Sequence, residues 1–149
     1  MMKHNKGFSL IELLVVIAII GVLSAVGITA YTGYTASAKE QAARTQFAQT
    51  VSLINAESAK CGVGTGNYAW GDACTASPLT VGDIRDHVFD DLGMKNPYNN
   101  SQGKTDFIVT TGDPDANGEI AIIVNGTDIT IKQQVKTGTT LEQTVEQAS

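Results

Sequence analysis

The sequence predicts an α+β chain, a long N-terminal α-helical spine, apolar in its first half, with a small antiparallel β-sheet packed on its second half. Three observations carry that expectation. Between Phe8 and Ala38 the only ionised side chain is Glu12. A helix-favouring run, Lys39-Glu40-Gln41-Ala42-Ala43-Arg44, continues that stretch without a proline. Three segments rich in β-branched residues then follow between Asp106 and Lys132.

Bulk composition bounds the function. The chain has 149 residues, 42% apolar and 17% charged, a foldable length and balance for one domain. It carries 10 basic and 15 acidic residues, and Lys3 and Lys6 both fall in the first seven positions. No basic cluster exists elsewhere, so no general nucleic-acid binding is expected. Neither a phosphate-cradling glycine loop nor a Ser/His/Asp set is present, so the chain does not read as an enzyme.

The rod comes first in the chain. Met1–Gly7 reads MMKHNKG, and the apolar stretch Phe8–Ile28 follows. At about 1.5 Å per residue that stretch spans the ~30 Å of bilayer hydrocarbon. Lys3 and Lys6 before it keep the N-terminus cytoplasmic and send the rest outward. A secretory signal peptide is the plain alternative, but the run is long for one. Ala25-Val26-Gly27 and Ala36-Ser37-Ala38 make weak cleavage sites. Glu12 is anomalous here, since a carboxylate in hydrocarbon costs a few kcal/mol. Two readings of it stand. It snorkels near the helix end with help from the helix dipole, or it awaits a positive partner from another chain.

Lys6-Gly7-Phe8-Ser9-Leu10-Ile11-Glu12-Leu13 resembles the processing motif of type IV prepilins and the related type II secretion pseudopilins. The likeness runs through the apolar stretch to Tyr31 and Tyr34, about the first third of the chain. It implies a leader peptide over 1–7, a transmembrane and filament-core half-helix over 8–29, and a soluble headgroup over 30–149. A membrane-embedded prepilin peptidase would cut between Gly7 and Phe8 and N-methylate Phe8. The acid at Glu12 would pair with the N-terminal amine of a neighbouring subunit. The implied partners are the chain itself as a helical homopolymer, the peptidase, the pilus assembly machinery of the inner membrane, and membrane lipid before assembly. The implied location is the bacterial inner membrane, then an extracellular surface filament serving adhesion, twitching motility or DNA uptake. A major pseudopilin of a secretion system is one alternative, and a single-span anchor for a periplasmic binding domain is another. The sequence departs from many type IV pilins in lacking a proline near Gly27-Ile28-Thr29. Gly21 and Gly27 serve either helix loosening or close helix packing.

Beyond the membrane, Ala43, Phe47, Val51, Ile54 and Ser58 recur at helical spacing and predict a buried stripe. The helix is expected to end by Cys61-Gly62 with Lys60 in its last turn, giving ~80 Å from Phe8. Tyr31 and Tyr34 read as interface anchors. A turn-rich region, 61–104, holds a short helix over Val81–Leu92, capped by Thr80. Cys61 and Cys74 read as a disulfide if the domain is exported, closing a loop worth about 3 kcal/mol. Reduced thiols or half a metal site are the alternatives, although of the only two histidines His4 lies in the head and His87 has no neighbour at ligand spacing. The family usually bridges nearer its C-terminus. Asp83, Asp86, Asp90 and Asp91 read as a solvated face on which Asp86 and Asp90 repel.

A β-meander is expected over 105–136, with strands at Asp106–Thr111, Glu119–Val124 and Asp128–Lys132. Asn125-Gly126 marks a hairpin with both central residues at positive φ. Thr137–Ser149 reads as a loose tail. Asp113, Asp115 and Asn117, followed by Gly118, match the opening of a calcium loop, but Val124 stands where the bidentate acid belongs. A strand-connecting turn explains the same residues. Calcium there is the single candidate cofactor.

Overall fold

The computed structural model describes residues 7–63, 66–71, 73–74, 80–126 and 128–146. The chain forms two compact units, Met1–Ser37 and Ala38–Ser149. Helix α1, Leu10–Gly62, runs through both and ends where the sequence places its end, with Lys60 in the last turn.

Within the first unit the helix is apolar on all sides, and every residue from Gly7 to Ala30 is exposed. Its composition and length suffice to cross a membrane. The hydroxyls of Thr29, Thr32 and Thr35 each donate to the carbonyl three residues back, at 2.9, 2.9 and 3.0 Å. Such back-bonding satisfies polar groups without leaving the helix. Tyr31 and Tyr34 are exposed just above the apolar stretch.

In the second unit, α1 buries Ala43, Thr50, Ile54 and Ser58, with Phe47, Val51 and Leu53 half-buried around the core. The stripe is the expected one, except that Thr50 rather than Val51 lies deepest. Thr50 tolerates burial because its hydroxyl donates to the Gln46 carbonyl at 3.0 Å. The core that meets this stripe contains Ile84, Val88, Phe107, Ile120, Ile122, Ile129, Ile131 and Val145.

The sheet has four strands, β1 (Ile108–Val109), β2 (Ile120–Asn125), β3 (Asp128–Lys136) and β4 (Thr139–Glu146), in the order β1-β2-β3-β4. Three expectations are corrected. The strand expected at Asp106–Thr111 shrinks to Ile108–Val109, because Lys104–Phe107 closes into a helical turn, α3, that drives Phe107 into the core. It pairs with β2 in parallel, so the sheet is mostly rather than wholly antiparallel. The tail expected at Thr137–Ser149 is instead strand β4 as far as Glu146, paired along β3, with Val145 buried opposite Ile129. A turn at Thr137-Gly138 permits this, Gly138 having φ +77°. The Ser58 hydroxyl then ties β4 to α1 by donating to the Glu146 carbonyl at 3.2 Å.

The β2–β3 hairpin forms where Asn125-Gly126 signals it, but one residue later than expected. Asn125 pairs with Asp128, which leaves Gly126 in the loop. Gly126 has φ +63°, whereas no described non-glycine residue has positive φ. Thr127 lies outside the described residues, so the turn type expected there is not assigned.

The turn-rich region 61–104 also contributes to the core. Tyr68 and Trp70 are buried in the main core, their rings stacked with centroids 4.7 Å apart. The expected helix at Val81–Leu92 divides into α2, Val81–Asp86, and a π-helical turn, His87–Asp91. Thr80 occupies the N-cap of α2 without a side-chain cap bond, while its carbonyl accepts from the Asp83 and Ile84 amides.

Candidate functional site

The N-terminal site begins with three residues outside the helix. Gly7, Phe8 and Ser9 precede α1, and Phe8 is 89% exposed. Ser9 and Glu12 then form a reciprocal capping box. The Ser9 amide donates to Glu12 Oε2 at 2.8 Å, and the Glu12 amide donates to Ser9 Oγ at 3.2 Å. Ser-x-x-Glu is the sequence signature of this arrangement, and it is legible at Ser9–Glu12 although the sequence reading passed over it. The pair satisfies two otherwise orphaned amides of the first turn. It also gives the carboxylate a hydrogen bond in surroundings where a bare one is costly.

The same segment presents a predominantly apolar surface. Leu10, Ile11, Leu13, Val22, Leu23 and Ile28 are among its exposed large side chains. Ala18, Ile19, Val22 and Leu23 outline a shallow, almost wholly apolar groove on one face. Apart from Glu12, the surface has the chemistry for lipid or for another apolar helix.

The remaining candidate residues lie in the second unit. Cys61 and Cys74 form a disulfide across 13 positions. Around it, the Cys74 amide donates to the Gly66 carbonyl at 2.9 Å and the Ala69 amide to Glu57 Oε2 at 2.7 Å. The bridge and these bonds hold Tyr68 and Trp70 beside the end of α1.

Asp113, Asp115 and Asn117 lie on the connection into β2, and their surroundings are those of a self-satisfied turn. Asp113 pairs with Lys132 Nζ at 2.8 Å, and this hydrogen bond is the main cause that raises the Lys132 ammonium pKa. Asn117 Oδ1 accepts from Gln134 Nε2 at 3.2 Å and from Thr137 Oγ1 at 3.3 Å. The buried Glu119 carboxylate accepts from the Asp115 and Ala116 amides at 3.1 and 3.0 Å, and from Gln102 at 3.0 Å. Gly118, which fits a calcium loop by sequence, has a packing reason here. Its φ is +86°, and a Cβ would collide with the Asn96 side-chain amide. Among the described residues no three His, Cys, Asp or Glu side chains converge to hold a metal.

The acidic face on α2 and the following turn is ordered by cations that sequence spacing does not reveal. Lys104 sits between Asp86 and Asp90, at 3.1 and 3.0 Å, so the expected repulsion is bridged. Hydrogen bonds from Arg85 first and Lys104 second lower the Asp86 carboxyl pKa. Those to Asp90 and then Asp86 raise that of Lys104. His87 Nδ1 lies 2.7 Å from Asp91 Oδ2. Near the start of the unit, hydrogen bonds from Arg44 and then Lys136 lower the Glu40 carboxyl pKa.

One comparison bears on the N-terminal site. The prokaryotic N-terminal methylation motif matches residues 2–28. That motif is typical of type IV pilins and pseudopilins, which are structural, non-enzymatic proteins. With its long apolar helix and the sheet against it, the chain is pilin-like. The motif implies processing by a prepilin peptidase and assembly. No curated protein and no solved structure matches the chain significantly.

Proposed function

We propose that this chain is the structural subunit of a type IV pilus filament, cut between Gly7 and Phe8 and polymerised through its apolar N-terminal half-helix. The observation that carries the reading is a methylation motif opening a helix whose apolar side chains are exposed on every face. Lipid covers that surface in the precursor, held in the inner membrane with its headgroup outside. Sister helices cover it in the filament. Close packing decides the second state, since lipid is as apolar as the helices themselves.

Glu12 supplies the register. Cleavage creates an amine at Phe8, four residues before the carboxylate. Within one chain, Glu12 Oε2 is engaged by Ser9, while no described group bonds Oε1. An amine from a neighbouring subunit fits that free oxygen, and pairing offsets the desolvation of both charges in a low-dielectric layer. The substitution Glu12→Leu is expected to leave membrane insertion intact and to stop filament growth. Filaments at normal yield from Glu12→Leu would overturn the reading.

A further inference from the structure

We infer that Ser9 is a positioning residue for Glu12, holding its carboxylate in the orientation that receives the amine of the next subunit. The inference rests on the filament reading and adds to it the device that aims the acid. Ser9 engages Glu12 twice, by its amide to Oε2 at 2.8 Å and by its hydroxyl from the Glu12 amide at 3.2 Å. The first bond turns the carboxylate back toward Phe8 and uses one of its oxygens. The second fixes the first turn from which the carboxylate is suspended, so that α1 begins at Leu10.

Cleavage between Gly7 and Phe8 leaves this arrangement whole. The amide used is that of the Phe8–Ser9 peptide, which the cut does not touch, and the hydroxyl belongs to the mature chain. The box therefore serves both states. In the precursor it keeps the carboxylate hydrogen-bonded. In the processed chain it occupies Oε2 and leaves Oε1 for the amine of a neighbour. With alanine at position 9 the hydroxyl anchor is lost, the first turn loosens, and Glu12 is free to take rotamers that point away.

The test expresses full-length Ser9→Ala, Ser9→Val, Ser9→Thr and Glu12→Leu in cells lacking the unsubstituted chain. Membrane content, processed mass and sheared filament yield are measured for each. A fourth readout, which a general loss of fold would not move selectively, is the Glu12 side-chain carboxyl ¹³C resonance of labelled full-length chain in detergent. Ser9→Ala and Ser9→Val are expected to insert and be processed normally, with filament yield at least about fivefold lower, the factor a lost cap commonly costs. Ser9→Thr, which keeps the hydroxyl on the same shape as valine, is expected to restore it. The Glu12 carboxyl resonance should shift in Ser9→Ala and Ser9→Val but hold in Ser9→Thr, with amides beyond the first turn unchanged. Normal filaments from Ser9→Ala beside none from Glu12→Leu would overturn this inference and leave the filament reading standing. So would an unmoved Glu12 resonance, or Ser9→Thr failing like Ser9→Val. Loss of processing in Ser9→Ala would overturn it too, assigning Ser9 to recognition by the peptidase. Normal filaments from Glu12→Leu would remove the filament reading itself.

Discussion

Gly118 illustrates how one residue changes meaning between sequence and structure. As the sixth position of a calcium-like opening it suggests a metal turn. In the fold it holds φ +86° and yields space to Asn96, whose side chain also receives the Tyr98 amide at 2.8 Å. Gly118→Ala is expected to lower headgroup stability by about 1–3 kcal/mol, the cost of a strained backbone position. Thermal melting of the full chain in detergent measures it, and an unchanged melting temperature would remove this account of Gly118. Asp113 Oδ1 and Asn117 Oδ1 already accept from Lys132 and from Gln134 and Thr137, and the nearby Glu119 from Gln102, so millimolar calcium is expected to leave the same melting temperature unmoved. A rise of several degrees would restore the metal reading. Lys104 supports a pH prediction. The Asp86 carboxyl titrates below its ordinary range, so its contribution is full above that range and is lost as pH falls through its folded pKa. Lys104 titrates above its ordinary range, so its contribution persists below that range and is lost as pH rises through its folded pKa. The stability difference between the unsubstituted chain and Lys104→Gln is therefore expected to be constant near neutral pH and to shrink at both extremes. A difference that does not vary with pH would contradict it. Spacing alone could not supply Lys104, which reaches Asp90 from 14 positions away.

At the scale of elements, legibility follows local periodicity. The long helix and its buried stripe were readable because Ala43, Ile54 and Ser58 repeat at helical spacing and Gly62 closes the run. Strand β3 was readable because Ile129 and Ile131 alternate with polar neighbours, as the burial of the strand confirms. Strand β4 was not. At the sheet edge it fully buries Val145 alone, with Thr139 and Leu141 half-buried and the rest exposed, so its sequence resembles a polar tail. Strand β1 was overextended because Phe107, apolar and followed by Ile108 and Val109, serves a helical turn instead. Deleting residues 137–149 is expected to destabilise the headgroup rather than trim it, because Val145 and the Ser58–Glu146 bond leave with them. Wild-type resistance to protease after that deletion would contradict the role given to β4. Reducing Cys61–Cys74 is expected to expose the segment around Tyr68 and Trp70 to protease, with a loss of about 3 kcal/mol on the chain-entropy model, while α1 stays helical. Unchanged cleavage on reduction would count against that role.

For the whole molecule, the contrast was plain in the sequence between an apolar half-helix and a polar, acidic domain on the helix's second half. The candidate site was read at Gly7, Phe8 and Glu12 from the motif these residues carry, since physics alone also lets a lone acid near a helix end snorkel to the interface. Ser9 was legible in principle, as the first residue of Ser-x-x-Glu, but the weight of Glu12 masked it. The central claim is that the chain, cut before Phe8, builds a surface filament. Intact-mass and N-terminal analysis of protein sheared from cells, beside electron microscopy of the same fraction, tests it most directly. The account predicts filaments composed of a chain that begins at N-methylated Phe8. A processed chain absent from surface filaments would contradict the pilus and favour a pseudopilus, and a chain still beginning at Met1 would contradict both.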